Sequence, residues 1–318
     1  PRHIDRDYVY LHTYPTGQGF TKPGAKADIL SGVDAGVAML NYIGHGSPFK
    51  LADESVLLDT DASAFTNATR PTVLVAASCD VGKFSDPLVP SLGERMVLNP
   101  AGGGVGVVSA TELAFSNQNA QLNLTLYQQV FRRDATTGLY SVPLSRGLLT
   151  AKTGTQNNQK YQLMGDAALQ LLLPKWSVES ALFDAAGQPI STVARGQTVT
   201  LRGNVTSRPG GPLLPMSGTL DLLVEDSAPI DTVPGCEPDP NTGLGCETYP
   251  FRAAPVFRGD VPVVNGAFES RFVMPIDAKL GTRARVRAYF SGSSGAFDSD
   301  GAGADTFAVA VGTGSPAD

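Results

Sequence analysis

The chain has 318 residues, with 24 Lys and Arg against 30 Asp and Glu, a formal net charge of −6 and 42% hydrophobic residues. That length and balance suit a globular protein of two domains with real apolar cores. Basic residues are scattered rather than striped and no run of about eighteen apolar residues occurs, which argues against nucleic acid, an anionic membrane surface or a membrane span.

The elements are predicted in chain order. Residues 7–11 read as a short strand, 23–36 as a helix and 37–43 as a strand that runs on to His45. A helical turn is expected at 63–65 and a second apolar strand at 73–77, ending at Cys79. Residues 87–98 read as a helix with Pro tolerated at its start, and 105–109 as a third strand after three glycines. A helix at 118–133 carries Leu122, Leu126 and Val130 at helical spacing, and 143–153 is a last helix. Strands alternating with helices imply a parallel sheet covered on both faces. From Trp176 the texture changes to short alternating strands broken by Gly and Pro, at 198–203, 218–224, 266–273 and 284–289, which is the β-sandwich pattern. The expected fold is α/β plus all-β, with domains at 1–174 and 175–318.

Two strand ends carry the chemistry. Adjacent parallel strands bring their carboxyl ends, and the residues that follow, to one rim of the sheet. Here those residues are His45, between Gly44 and Gly46, and Cys79. A cysteine peptidase needs a thiolate and an imidazole that protonates the leaving amine. A thiol on a rim can be reached, whereas one in mid-strand is inert. Taken singly, a Cys is usually a small core residue and a His is more often structural. Together at neighbouring strand ends they form the candidate catalytic pair. His3 and His12 lie in a polar stretch away from such ends and read as structural.

Cys236 and Cys246 bound a polar Gly- and Pro-rich loop with no core for thiols to fill. A structural metal site would need four ligands and no His stands nearby, so a disulfide is expected there, which implies an oxidising compartment. Cys79 is then the odd thiol. Two acidic groups are candidates for structural calcium: Asp53, Glu54, Asp59 and Asp61, and the run with Asp298, Asp300 and Asp305, which lacks a closing bidentate Glu. Carboxylates beside Gly also mark plain turns, and both readings stay open. No other cofactor is expected.

The segments 41–47 (Asn-Tyr-Ile-Gly-His-Gly-Ser) and 77–87 (Ala-Ser-Cys-Asp-Val-Gly-Lys-Phe-Ser-Asp-Pro) resemble the histidine and nucleophile segments of the gingipain-type, caspase-like cysteine peptidases. The likeness continues through 90–94, 99–106 and the Gly165-Asp166-Ala167-Ala168-Leu169 run, and covers residues 1 to about 174. Residues 84–88 bring it nearest the type IX secretion sortase branch. The resemblance implies the second half of a caspase-like parallel or mixed sheet, followed by an Ig-like β-sandwich. It also implies acyl transfer to Cys79, with His45 as general acid and the amides of Gly46 and Cys79 as the oxyanion hole. Protein or peptide substrates and a secreted, cell-surface or periplasmic bacterial location go with it.

Specificity is expected from Tyr42, Ile43, Ala77 and the loop at 110–116, in which Glu112 is the carboxylate. Glu112 either selects a basic residue before the scissile bond or simply faces solvent. Three functions stay open: endopeptidase, transpeptidase or sortase of secreted proteins, and non-catalytic caspase-like scaffold. The chain begins with neither Met nor a signal peptide. Caspase-like domains carry further strands ahead of the histidine strand, so a second polypeptide is expected to supply the first half and cover the open sheet edge.

Overall fold

A computed structural model describes residues 4–234, 245, 246, 248–251, 253–294 and 297–312. The chain divides into an α/β unit, Asp7–Arg132 with Tyr140–Leu172, and a β unit formed by the remainder.

The α/β unit holds strands β1 (Met39–Ile43), β2 (Lys50–Leu51), β3 (Leu57–Leu58), β4 (Thr72–Ala77), β5 (Gly104–Ala110) and β6 (Tyr161–Gly165). Its helices are α1 (Pro23–Ala35), α2 (Asp59–Ala62), α3 (Leu92–Leu98), α4 (Ser116–Val130) and α5 (Leu144–Ala151). The main sheet runs β1-β4-β5-β6, with β1, β4 and β5 parallel and β6 antiparallel. Successive side chains of a strand point to opposite faces, and β4 is buried along its whole length. Leu74 and Ala76 pack with Ile29, Val33, Leu92 and Met96 of α1 and α3, while Val73 and Val75 pack with Leu122, Leu126, Leu144 and Leu148 of α4 and α5. A strand buried on both faces reads as a continuous apolar run, which is why 73–77 was legible.

The differences have local causes. Residues 7–10 form no strand; they run extended into a 3₁₀ turn at Leu11–Thr13, and Val9 and Leu11 pack on the core instead. The turn expected at 63–65 is α2, four residues earlier, fixed by Asp61 accepting from the Leu58 amide at 2.8 Å. Helix α3 starts at Leu92 rather than 87 because Ser91 and Glu94 form a capping box, each side chain accepting from the other's backbone amide. The hairpin β2–β3 and the antiparallel strand β6 were not anticipated.

The β unit continues with β7 (Trp176–Phe183), β8 (Pro189–Ile190), β9 (Thr192–Ala194), β10 (Thr198–Thr206), β11 (Ser217–Glu225), β12 (Ile230–Thr232), β13 (Thr248–Pro250), β14 (Pro255–Val263), β15 (Ala267–Val273), β16 (Gly281–Ser294) and β17 (Phe297–Ala310). Its main sheet is nine-stranded, in the order β14-β11-β16-β17-β7-β10-β15 with β8 and β9 alongside. Most pairs are antiparallel; β17 meets β7 in parallel over only Gly301↔Trp176 and Ala302↔Ser177. That short joint makes one sheet of two sets of strands that share a single core, including Leu201, Leu220, Leu222, Phe268, Val286 and Phe290.

The acidic run at 298–305 is not a loop. It lies in β17, in continuous register with β16 from Phe297 to Phe307. Asp300 and Asp305 therefore face opposite sides of the strand and stand roughly 17 Å apart along it at about 3.4 Å per residue. The Asp300 carboxylate accepts from the Lys175 amide and the Tyr289 hydroxyl. At the other candidate, Asp59 pairs with Arg95 and Asp61 with Lys26. Among the described residues no three His, Cys, Asp or Glu gather as a metal site. The expected Cys236–Cys246 bridge rests on Cys236, which lies outside the described residues.

Candidate active site

Parallel pairing in register, Ile43 opposite Ala77, carries β1 and β4 to the same rim. His45 and Cys79 each follow two residues beyond their strand. The β5–α4 loop reaches that rim as well, and so does the segment leading into β6, because β6 is antiparallel and Tyr161 lies opposite Ala110. The rim thus collects residues from four strand ends.

The histidine loop is fixed through its backbone. The His45 carbonyl accepts from the Tyr42 hydroxyl at 2.6 Å and from the Ala52 amide at 2.9 Å, and Gly46 bridges to Leu51 of β2. His45 itself is exposed. Burial holds the Tyr42 phenol above its ordinary pKa, with Glu54 and Asp53 adding to the effect. Tyr42 is therefore a neutral donor, held as a brace beneath the histidine.

The cysteine loop is tighter. Cys79 is a free, half-buried thiol. Its Sγ accepts from the Ala114 amide at 3.3 Å and donates to the Ala114 carbonyl at 3.5 Å. Ser78, 1% exposed, donates through Oγ to the Gly44 carbonyl at 2.8 Å. Asp80 has φ of 57°, a left-handed conformation that Asp tolerates better than most residues and that marks strain next to a functional group. Its amide donates to the Glu112 carbonyl at 3.3 Å, and the Gly82 amide to the Ala110 carbonyl at 2.9 Å. The first amides of α3 tie both loops down: Leu92 donates to the Pro48 carbonyl and Gly93 to the Val81 carbonyl.

The third wall, 111–115, is clamped from the β6 side. Asn157 is fully buried; its Oδ1 accepts from the Phe115 amide at 3.0 Å, and its Nδ2 donates to the Phe115 carbonyl at 2.9 Å and to Asn119 Oδ1 at 2.7 Å. Tyr161 donates to the same Asn119 oxygen at 2.7 Å. Burial raises the Tyr161 phenol well above its usual range, and the neighbouring Cys79 pushes the same way. Lys160 Nζ donates to the Leu113 carbonyl and lies 5.0 Å from the centre of the Phe115 ring.

One rim of the sheet thus brings together a half-buried thiol, an exposed histidine and an amide-lined loop. Over residues 1–172 the chain matches the family described as Peptidase family C25. The chain belongs to that family. Among solved structures it is similar to the Arg-specific cysteine proteinase gingipain R (RgpB), at 12% identity over 92% of this chain and 57% of that one, with a TM-score of 0.42. A complex of the pro- and mature domains of RgpB from Porphyromonas gingivalis gives the same identity and TM-score over 58% of that chain. Dimeric latent PorU from Porphyromonas gingivalis is 20% identical over 66% of this chain and 20% of that one, with a TM-score of 0.38. This chain thus spans less than two thirds of the length of each. No curated protein matches it.

Of the residues expected to shape specificity in this C25 member, Ile43 is 57% exposed at the rim, whereas Ala77 is 2% exposed inside β4 and offers no surface to a ligand. Tyr42 packs on the core and braces His45 rather than lining a pocket. The Glu112 side chain is exposed, and its carbonyl supports the Cys79 turn. The residues at the rim that sequence reasoning missed are Ser78, Asn157 and Lys160; Ala114 lies in the loop expected at 110–116, but its contact with the thiol was not foreseen. Their roles are created by tertiary placement, and only Ser78, adjacent to the nucleophile, had a positional signal.

Proposed function

We propose that the chain is a gingipain-like cysteine endopeptidase in which Cys79 is the nucleophile and His45 the general acid. The thiolate attacks the scissile carbonyl carbon and a C–S bond forms. The carbonyl oxygen becomes an oxyanion that the Gly46 and Cys79 amides would receive. His45 delivers its proton to the amine nitrogen as the C–N bond breaks, leaving a thioester. Water then adds to the thioester, the acid departs, and the thiol is restored. The observation that carries the reading is the Ser78–Gly44 hydrogen bond, which joins the histidine and nucleophile loops of a C25 family member.

The same proposal takes in a protein or peptide substrate, secretion to the bacterial surface or periplasm, no cofactor in the chemistry, an Ig-like reading of the β unit and the Cys236–Cys246 bridge. It also takes in a second polypeptide beside β1, which stands at the edge of its sheet. No helix among the described residues is long and apolar enough to cross a membrane.

An acyloxymethyl ketone probe tests the reading. Mass spectrometry should find the adduct on Cys79, and peptides should be cleaved in a way that the probe blocks. A thiol no more reactive than a free cysteine, with no cleavage of a peptide library, would leave the scaffold reading. An aminolysis product in the presence of an added amine would make the enzyme a transpeptidase.

A further inference from the structure

The residue before the nucleophile touches both sides of the histidine. β1 and β4 are in register up to Ile43 and Ala77. One step further the ladder would set Gly44 beside Ser78, and there a side chain takes over: Ser78 Oγ donates to the Gly44 carbonyl at 2.8 Å. At 1% exposure the Ser78 hydroxyl cannot exchange this bond for water. Gly46 closes over the same hydroxyl. A Cβ at position 46 would lie 2.3 Å from Ser78 Oγ and 3.2 Å from the Cys79 carbonyl oxygen, so only glycine permits the approach. Ser78 therefore contacts the residues on either side of His45 while it is bonded directly to Cys79.

We propose that Ser78 is a positioning residue that sets the separation and orientation of His45 and Cys79. The proposal rests on the reading of these two residues as the catalytic pair. Without the hydroxyl, the strand ends lose the side-chain bond that spans them just beyond Ile43 and Ala77. The histidine loop is then held by Tyr42, Ala52 and Leu51 and, through Pro48, by the Leu92 amide. A small misplacement of an acid relative to its nucleophile costs far more in turnover than in substrate binding.

The experiment compares the wild type with Ser78→Ala, Ser78→Thr and His45→Ala in this chain. It reads kcat and KM on a cleaved peptide and the pH profile of Cys79 alkylation by iodoacetamide. Ser78→Ala should lower kcat by about tenfold to a hundredfold with KM little changed, and its alkylation profile should move toward that of His45→Ala. Ser78→Thr, which keeps the hydroxyl, should restore both. If Ser78→Thr does not fold, the alkylation profile of Ser78→Ala decides alone. A Ser78→Ala protein with wild-type kcat and alkylation profile overturns the proposal, even if its melting temperature falls, because that is what a purely structural serine would give. If His45→Ala itself leaves the alkylation profile unchanged, the catalytic pair fails and the positioning role fails with it. If His45→Ala shifts the profile and Ser78→Ala does not, only the positioning role is lost.

Discussion

The two ends of the four-stranded sheet are built alike and do different things. At the amino ends of β4 and β5, Asn67 is 4% exposed; its Oδ1 accepts from the Gly103 amide at 2.6 Å, and its Nδ2 donates to the Arg70 and Gly103 carbonyls, both at 3.1 Å. At the carboxyl ends, Asn157 makes the same kind of clamp on Phe115 and Asn119. Each end also has a glycine that a methyl group would spoil. A Cβ at Gly103 would meet the Met96 carbonyl oxygen at 2.4 Å, and one at Gly46 would meet Ser78 Oγ at 2.3 Å. The thiol and the rim histidine stand at one end only. A buried amide clamp is thus an architectural device of this sheet, and on the proposed function it bears on turnover only where it fixes a loop that touches Cys79.

The comparison breaks most sharply at the chemistry. Cys79→Ala and His45→Ala should each lower peptide cleavage by roughly a thousandfold or more, as removal of a nucleophile or its acid does, with melting temperatures close to wild type. Retained cleavage in Cys79→Ala, measured with the same peptide, would mean that the carboxyl rim is as inert as the amino rim.

The glycines come next. Gly46→Ala should cut kcat by about a hundredfold, because the added methyl pushes the histidine loop off Ser78 and Cys79. Gly103→Ala is strained twice, by contact and by a φ of 83°, and should cost about 1–2 kcal/mol of stability. Its kcat per active site, titrated with the probe, should equal the wild type. Equal losses of kcat in both variants would remove the functional distinction between the ends.

Asn67→Ala and Asn157→Ala sharpen it. Each leaves buried backbone groups without partners and should cost about 1–3 kcal/mol, read as a lowered denaturant midpoint. Only Asn157→Ala should also reduce kcat/KM, by about tenfold, since it frees the loop whose Ala114 amide contacts Cys79 Sγ. If both fall equally in stability and neither in activity, the third wall takes no part in turnover.

The contrast also explains what could be read from sequence. Residues 73–77 declared themselves because β4 is buried on both faces, and His45 and Cys79 because glycines and strand ends frame them. The Ser91-Leu92-Gly93-Glu94 capping box fixes where α3 begins, five residues after the start read at Pro87. Asn157 and Asn67 were not legible, because a polar side chain in a connecting segment reads as solvent-facing until its backbone partners, decades of residues away, are known. The acidic run at 298–305 was expected in a loop or turn and lies in β17, where period-two spacing scatters carboxylates over both faces of a strand. A turn would have gathered them.

Glu112 gives the smallest effect and separates side chain from backbone at one residue. Its carbonyl accepts from the Asp80 amide, which any amino acid can do, while its carboxylate is exposed. An exposed ion pair contributes about 0.2–1 kcal/mol, so a carboxylate that reads a basic residue before the scissile bond can favour it by only about 1.4-fold to fivefold. Glu112→Gln should therefore lower kcat/KM for peptides with Arg or Lys at that position by this factor, more at low salt than at high, and leave peptides with Leu there unchanged. The backbone bond to Asp80 survives the substitution, so folding and probe labelling of Cys79 should match the wild type. An equal loss on Arg and Leu peptides would show that position 112 supports the Cys79 turn and reads no charge. No change on either would leave the carboxylate as a solvated surface group, and the choice of substrate would pass to exposed rim residues such as Ile43, Leu113 and Phe115.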